Sequence, residues 1–282
     1  MPTVFDRSAY DRLAGEFRYV VTDMICRAGS GHLGGALSLM EIVITLYWRI
    51  MHIDPSAPTW VDRDRLVLSK GHGGPVLYAA LAYRGFFDKA LLGTLNCDGT
   101  RLPSHVDRLR TPGIDMTAGS LGQGLSCACG MALAARMDGK AHRVYCIIGD
   151  GESNEGQIWE AAMFAGHRRL DNLVAITDYN KLQIDGFTDD VLTLEPLADK
   201  WRAFNWHVLE MDGHDWDDIY DTLNKARALR GRPVMIIAHT IKARDCALVE
   251  NKAESHNIKI NSASDHEHFL AALKEQGYEL PY

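Results

Sequence analysis

Apolar positions along this chain recur with two different periods. Residues 6–28 carry them at helical spacing and run into Gly29-Ser30-Gly31, which predicts an amphipathic helix and its stop. LSLMEIVITLYWRIM (37–51) predicts a strongly apolar helix, and RLVLS (65–69) a short strand. Gly71 and Gly73-Gly74 then open a helix through Tyr83. LGQGLSCACGMALAARM (121–137) reads as a helix of small residues suited to close packing. From residue 143 the alternation is regular: strands over 143–150, 172–180, 207–213 and 233–240, separated by helices over 153–167, 197–206 and 215–229. Residues 245–265 read as loop and 266–277 as a short terminal helix. Trp159, Phe164 and Trp206 fall at spacings that suit the core. Continuous apolar strands alternating with helices predict an α/β fold, a parallel sheet with helices on both faces. Right-handed crossovers put the ligand loops at the carboxyl ends of its strands. With no linker and no internal repeat, one domain over residues 1–282 is expected.

Composition narrows the function classes. Hydrophobic residues at 46% and charged residues at 24% exclude disordered, collagen-like and coiled-coil chains. Thirty-seven acidic against 30 basic residues leave a net charge of −7, and no block of Lys or Arg stands out. No nucleic-acid partner is expected, and an anionic ligand has to be met by a local positive site. No apolar run approaches the ~18 residues of a membrane span, and charges interrupt the N-terminus where a signal peptide has its apolar core. The six cysteines form no C-x-x-C pair. A reducing cytoplasm without disulfides or structural zinc is the expected setting.

The sharpest chemistry follows the strand 143–150. Gly149-Asp150-Gly151 sits where that strand turns toward a helix, and Asn180 ends the next strand 30 positions later. Neighbouring ends of a parallel sheet lie side by side, so Asp150 and Asn180 can share one ion. A carboxylate and a carboxamide oxygen suit Mg2+ or Ca2+, with phosphate, backbone and water completing the shell. Gly151 allows a phosphate close to the backbone, and the N-terminus of the following helix favours an anion. A bare Gly-Asp-Gly also occurs as an ordinary turn. The strand–helix–strand context, Asn180 within Asp-Tyr-Asn-Lys and Glu155-Gly156 in the helix carry the ligand reading.

These residues resemble the thiamine diphosphate-binding motif, and the more specific resemblance is to the transketolase family. It is carried in order by Ser30-Gly31-His32, Leu68-Ser69-Lys70-Gly71-His72, Gly119-Ser120-Leu121-Gly122-Gln123-Gly124, Gly149-Asp150-Gly151-Glu152 with Glu155-Gly156, Asp212-Gly213-His214 and Ser255-His256. The resemblance implies that Asp150, Asn180 and the Leu182 carbonyl hold a divalent ion, Mg2+ with Ca2+ or Mn2+ as alternatives. It implies Lys70, His72, Gly151 and Lys242 along the diphosphate and thiazolium side, with Glu152 and His256 also against the cofactor. Gly119, Ser120 and Leu121 would present backbone groups to the aminopyrimidine. His32, His105 and His256 would face the sugar, and Glu155 would join a carboxylate network between paired active sites.

The histidines also stand out by position. His32, His72, His105 and His256 lie in loops containing Gly, Ser or Pro, where sites on a rigid sheet concentrate. His142, His266 and His268 have exposed-looking neighbours and carry no such signal. Ketol transfer moves protons on and off hydroxyl and carbonyl oxygens near neutral pH, which is the range of imidazole. The family usually has Gly before the equivalent of His105, whereas Ser104 stands here; Gly34-Gly35 follow His32-Leu33 where the family usually has Pro.

Complete transketolases are more than twice this length and carry a second thiamine-binding domain and a C-terminal domain. Nothing in residues 1–282 resembles either. The resemblance therefore implies the N-terminal subunit of a split transketolase, active on sugar phosphates only with a separately encoded C-terminal partner chain. A two-fold heterotetramer is expected, with the helices 37–51 and 153–167 supplying interface. The last residues, through Tyr282, read as a natural end. Two alternatives stay open. One is the alpha subunit of a thiamine-dependent 2-oxo acid dehydrogenase, which shares Gly-Asp-Gly and Asn but leaves the histidines unexplained. The other is a non-catalytic cofactor-binding subunit.

Overall fold

The structure, a computed structural model, describes residues 6–278. Its helices are α1 (Arg7–Arg27), α2 (Gly34–Leu37), α3 (Met40–Thr45), α4 (Gly74–Arg84), α5 (Gln123–Met137), α6 (Gly156–Arg168), α7 (Thr188–Val191), α8 (Leu197–Ala203), α9 (Trp216–Ala228) and α10 (Ala263–Glu275). Its strands are β1 (Ser30–Gly31), β2 (Arg65–Leu68), β3 (Val144–Gly149), β4 (Leu173–Tyr179), β5 (Leu182–Gln183), β6 (Gly186–Phe187), β7 (His207–Asp212), β8 (Val234–His239) and β9 (Ile258–Lys259).

Five strands form one sheet in the order β2-β3-β4-β8-β7, every pair parallel. Successive side chains of a strand point to opposite faces, and the core divides accordingly. Tyr145 and Ile147 of β3, with Val174 and Ile176 of β4, pack under α1, α3, α4 and α9. Val144, Cys146 and Ile148, with Leu173 and Ala175, pack under α5, α6 and α8. Because both faces are buried, these strands read as unbroken apolar runs. All six cysteines are free thiols.

Several elements depart from their sequence-based expectation. The stretch 37–51 is not one helix: it breaks at Ser38-Leu39, resumes as α3 and finishes in a π-helical turn over Leu46–Ile50. At the break the Ser38 hydroxyl donates to Asp178 at 2.7 Å. Leu37 through Leu46 is wholly buried within this chain, so the segment does not supply an outer interface. Helix α5 starts at Gln123 rather than 121, because Gly122 has a left-handed φ of 83°. A one-turn helix, Gly151–Asn154, stands between β3 and α6, so α6 does not follow Asp150 directly. The 245–265 segment contains a helical turn, Ala253–His256, and β9, which pairs antiparallel with β1. Two-residue strands carry no periodicity to read. Helix α10 begins at Ala263, three residues earlier than expected, behind a capping box of Ser262 and Asp265. Trp206 is fully buried, but Phe164 is 42% exposed and lies on the outer face of α6. The expectation of a natural end falls partly on residues 279–282, outside the described residues.

Candidate functional site

Four adjacent strands deliver the site. β2, β3, β4 and β8 end at Leu68, Gly149, Tyr179 and His239, and just beyond them lie Lys70, Asp150, Asn180 and Lys242. All four line one cavity of about 350 Å3 with His32, His72, His105 and His256. Gly119, Leu121, Gly151, Glu152, Glu155 and Leu182 line it too. Of the expected site residues only Ser120 is not on that wall; it is exposed beside it.

The floor is a network of buried charge. Asp178, fully buried on β4, accepts from the Lys70 ammonium at 2.5 Å, from Ser38 at 2.7 Å, from Asn180 at 3.3 Å and from the Thr240 hydroxyl. Burial opposes its ionisation, but the Lys70 charge and these donors hold its carboxyl below the usual range. Lys70 also donates to the Gly35 carbonyl at 2.9 Å. Asp150 accepts from the amides of Gly151 at 2.7 Å and Lys181 at 2.6 Å. Burial and the neighbouring Asp178 push its carboxyl up to about 6. Glu152 spends its carboxylate inside the protein, accepting from the Ser69 hydroxyl and from the amides of Gly122 (2.8 Å) and Gly149 (2.9 Å). It thereby ties the ends of β2 and β3 to the start of α5.

Lys242 donates to the Leu182 carbonyl at 2.7 Å and lies 3.4 Å from Nδ1 of His256. Burial and the Lys70 charge lower its ammonium to about 8. The two glycines after Leu33 make room for these lysines. A Cβ at Gly34 would come within 2.9 Å of the Lys242 stem and 2.5 Å of Ser255 Oγ, and one at Gly35 would meet Lys70 Nζ at 3.0 Å.

Above this floor the imidazoles cluster. Ring centroids are 5.1 Å apart for His32–His72 and His72–His256, 5.3 Å for His32–His256 and 5.4 Å for His32–His105. Burial, then His105 and the two lysines, lowers His32 to about 4. Burial and Lys242 lower His256 to about 3, while His72 and His105 are depressed chiefly by burial. The four rings are neutral at pH 7, able both to accept and to donate hydrogen bonds.

The donor set on the wall matches the divalent ion that the motif implies. Asp150, Asn180 and the Leu182 carbonyl present hard oxygen donors on one cavity. The Lys242 ammonium on the Leu182 carbonyl shows that this oxygen already faces a cation. The residues fit such an ion when a diphosphate completes the shell. Sequence reasoning missed Asp178, the anchor of Lys70. Its signal was present: an acidic residue inside the apolar strand LVAITDY.

A pocket gathered at the carboxyl ends of parallel strands, with a buried carboxylate and two lysines, is the arrangement of an α/β domain that binds an anionic cofactor. The family described as transketolase, thiamine diphosphate binding domain, matches residues 10–275. The 6-deoxy-6-sulfo-D-fructose transketolase subunit of a Clostridium species is 58% identical over 247 residues, 88% of this chain and 90% of that protein. An apulose-4-phosphate transketolase subunit of Phocaeicola vulgatus is 39% identical, over 91% of this chain and 90% of that one. The crystal structure of transketolase from Campylobacter jejuni superposes with a TM-score of 0.90 at 32% identity, covering 98% of this chain and 44% of the other. This chain therefore spans less than half the length of that transketolase chain. The chain belongs to the transketolase family, as an N-terminal, thiamine diphosphate-binding subunit.

Proposed function

We propose that this chain, acting as one domain, is the diphosphate-side half of a two-chain, thiamine diphosphate- and Mg2+-dependent transketolase, and that it transfers a two-carbon ketol unit only with a C-terminal partner. The observation that carries this reading is the 58% match to 90% of a relative that is itself named a transketolase subunit. That relative's name gives its substrate as 6-deoxy-6-sulfo-D-fructose, and a ketose with a terminal anionic group, sulfonate or phosphate, is the donor class proposed here. Asp150, Asn180 and the Leu182 carbonyl hold the ion, with Mg2+ ahead of Ca2+ and Mn2+. Lys70, Lys242, His72 and Gly151 bind the diphosphate side, Glu152 fixes the loops around it, and Gly119 to Leu121 face the pyrimidine.

When bound, thiamine diphosphate supplies the stabilisation of the carbanion. This chain's own part is to orient the sugar and move its protons. His32, His72, His105 and His256 are neutral and converge on one space, so each can take a proton from a hydroxyl or return one to a carbonyl oxygen. Assembly is proposed as a cytoplasmic two-fold heterotetramer, with Glu155 near the axis. Met163 and Phe164, 57% and 42% exposed on α6, give that helix an apolar outer face suited to the interface. Among the described residues no helix is long and apolar enough to cross a membrane.

The test is reconstitution. The purified chain with thiamine diphosphate and Mg2+ is assayed alone and with the C-terminal partner chain, using 6-deoxy-6-sulfo-D-fructose and fructose 6-phosphate as donors. Ketol transfer that requires both chains is expected. Turnover by this chain alone overturns the split-enzyme reading.

A further inference from the structure

Outside the cavity wall lies a second buried network, hydrogen-bonded to the loop that carries Lys242. Arg18 of α1, Glu41 of α3 and His214 after β7 form a chain: Arg18 Nη2 to Glu41 at 2.5 Å, and Glu41 Oε2 to His214 Nδ1 at 2.9 Å. Arg18 and Glu41 are almost completely buried. At the far side of the ring, the amide of Ile241 donates to His214 Nε2 at 2.9 Å. An imidazole nitrogen that accepts an N–H carries no proton, so the ring's proton is on Nδ1 and points at Glu41. Glu41 thus fixes the tautomer that presents an acceptor to Ile241.

The residue after Ile241 is Lys242. Its loop closes two turn bonds of its own, Arg244 N–H to the Ile241 carbonyl at 3.2 Å and Cys246 N–H to the Ala243 carbonyl at 3.0 Å, yet Ala243 and Asp245 have φ of 57° and 62°, two non-glycine residues in the left-handed region within three positions. Such conformations cost free energy and persist only where their surroundings over-determine them. The Gly34 carbonyl, the Asn251 amide and the Glu250 carboxylate supply part of that restraint, and the network adds to it on both sides of Lys242. His214 takes the Ile241 amide before it, and Arg18 reaches Asp245 at 3.0 Å and the Arg244 carbonyl at 3.4 Å after it.

We infer that His214, oriented by Glu41 and Arg18, is a positioning residue that holds the 241–245 loop so that the Lys242 ammonium points into the cofactor cavity. This rests on the reading of Lys242 as a diphosphate-side residue, and the experiment separates the two.

His214→Phe keeps a ring and removes the acceptor. The first measurement is hydrogen exchange on the full chain without ligand. Amides in residues 240–245 should exchange at least about 10-fold faster in the variant while those of β3 are unchanged. Exchange that is unaltered in the loop, or that rises equally everywhere, overturns the inference. The second is the affinity for thiamine diphosphate with Mg2+, by calorimetric titration of the enzyme assembled with its partner chain. Loss of an orienting partner outside the contact shell should weaken binding by about 10-fold. In the Lys242→Ala background, His214→Phe should have little further effect, because both changes act through one ammonium. Full additivity of the two changes overturns the positioning role. A normal affinity in Lys242→Ala alone overturns the reading of Lys242 and the inference with it. Should His214→Phe fail to fold, Glu41→Gln removes the carboxylate that fixes the tautomer and is read by the same outcomes.

Discussion

Asp150 and Asp178 lie on neighbouring strand ends, yet their replacement by Asn should move stability in opposite directions. In the metal-free chain Asp150 is 4% exposed and its carboxyl titrates near 6, against 3.8 unfolded. A group whose pKa rises on folding favours the protonated fold, so stability falls as pH climbs from about 4 to about 6 and is level above. At about 1.4 kcal/mol per pH unit, the ionised carboxylate costs the fold about 3 kcal/mol at pH 7. Asp150→Asn removes that cost but leaves one of the two backbone donors, Gly151 or Lys181, facing an amide; a lost hydrogen bond subtracts about 1 kcal/mol. The difference between variant and wild type should therefore change sign. The variant should be about 1 kcal/mol less stable at pH 4 and about 1–2 kcal/mol more stable at pH 8. Urea unfolding of both chains in EDTA at four pH values measures it, and taking the difference cancels every other titrating group. A difference that stays flat with pH, or a variant less stable at pH 8, refutes the account of a carboxylate held against its own solvation.

Asp178→Asn leaves the buried Lys70 charge without its counter-ion, and breaking such a pair should cost about 3–5 kcal/mol in the same unfolding assay. Asp150→Ala should abolish metal-dependent binding of thiamine diphosphate in a calorimetric titration of the assembled enzyme; unchanged affinity refutes the ligand assignment. His256→Ala should leave the melting temperature nearly unchanged, since the ring faces the cavity rather than the packed core, while lowering kcat by about 10²–10⁴ in the reconstituted ketol-transfer assay. Trp206→Ala, at a fully buried indole that donates to the Ala162 carbonyl, should cost about 3–5 kcal/mol without altering cofactor contacts.

The sheet was legible because a strand buried on both faces has to be apolar throughout, and β3, β4 and β8 announce themselves that way. The site residues were legible because they sit one or two positions past those runs, as Asp150 and Asn180 do, or beside glycines, as Lys70 and His72 do. What stayed hidden depended on contacts distant in sequence. The break in the 37–51 helix reflects an Asp178 that lies 140 residues from Ser38. Phe164 has helical spacing, but spacing cannot distinguish a face turned to the sheet from one turned outward when α6 is apolar on both. His214 was visible within Asp-Gly-His, yet its partners Glu41 and Ile241 come from opposite ends of the fold.

The electrostatics of the pocket bear on the order in which its ligands bind. Asp178 is already matched by Lys70, and the Lys242 ammonium is held by a neutral carbonyl, while Asp150 has only amide donors. The unmatched anion and the weakly matched cation thus line the same cavity without contacting one another. On the proposed reading, a divalent ion relieves Asp150 but adds to the repulsion felt by Lys242, and a diphosphate relieves Lys242 but adds to that felt by Asp150. Each ligand alone improves one term and worsens another. Together they satisfy both, so cofactor and metal should enter with strong mutual dependence, and each should raise the other's affinity by the same factor.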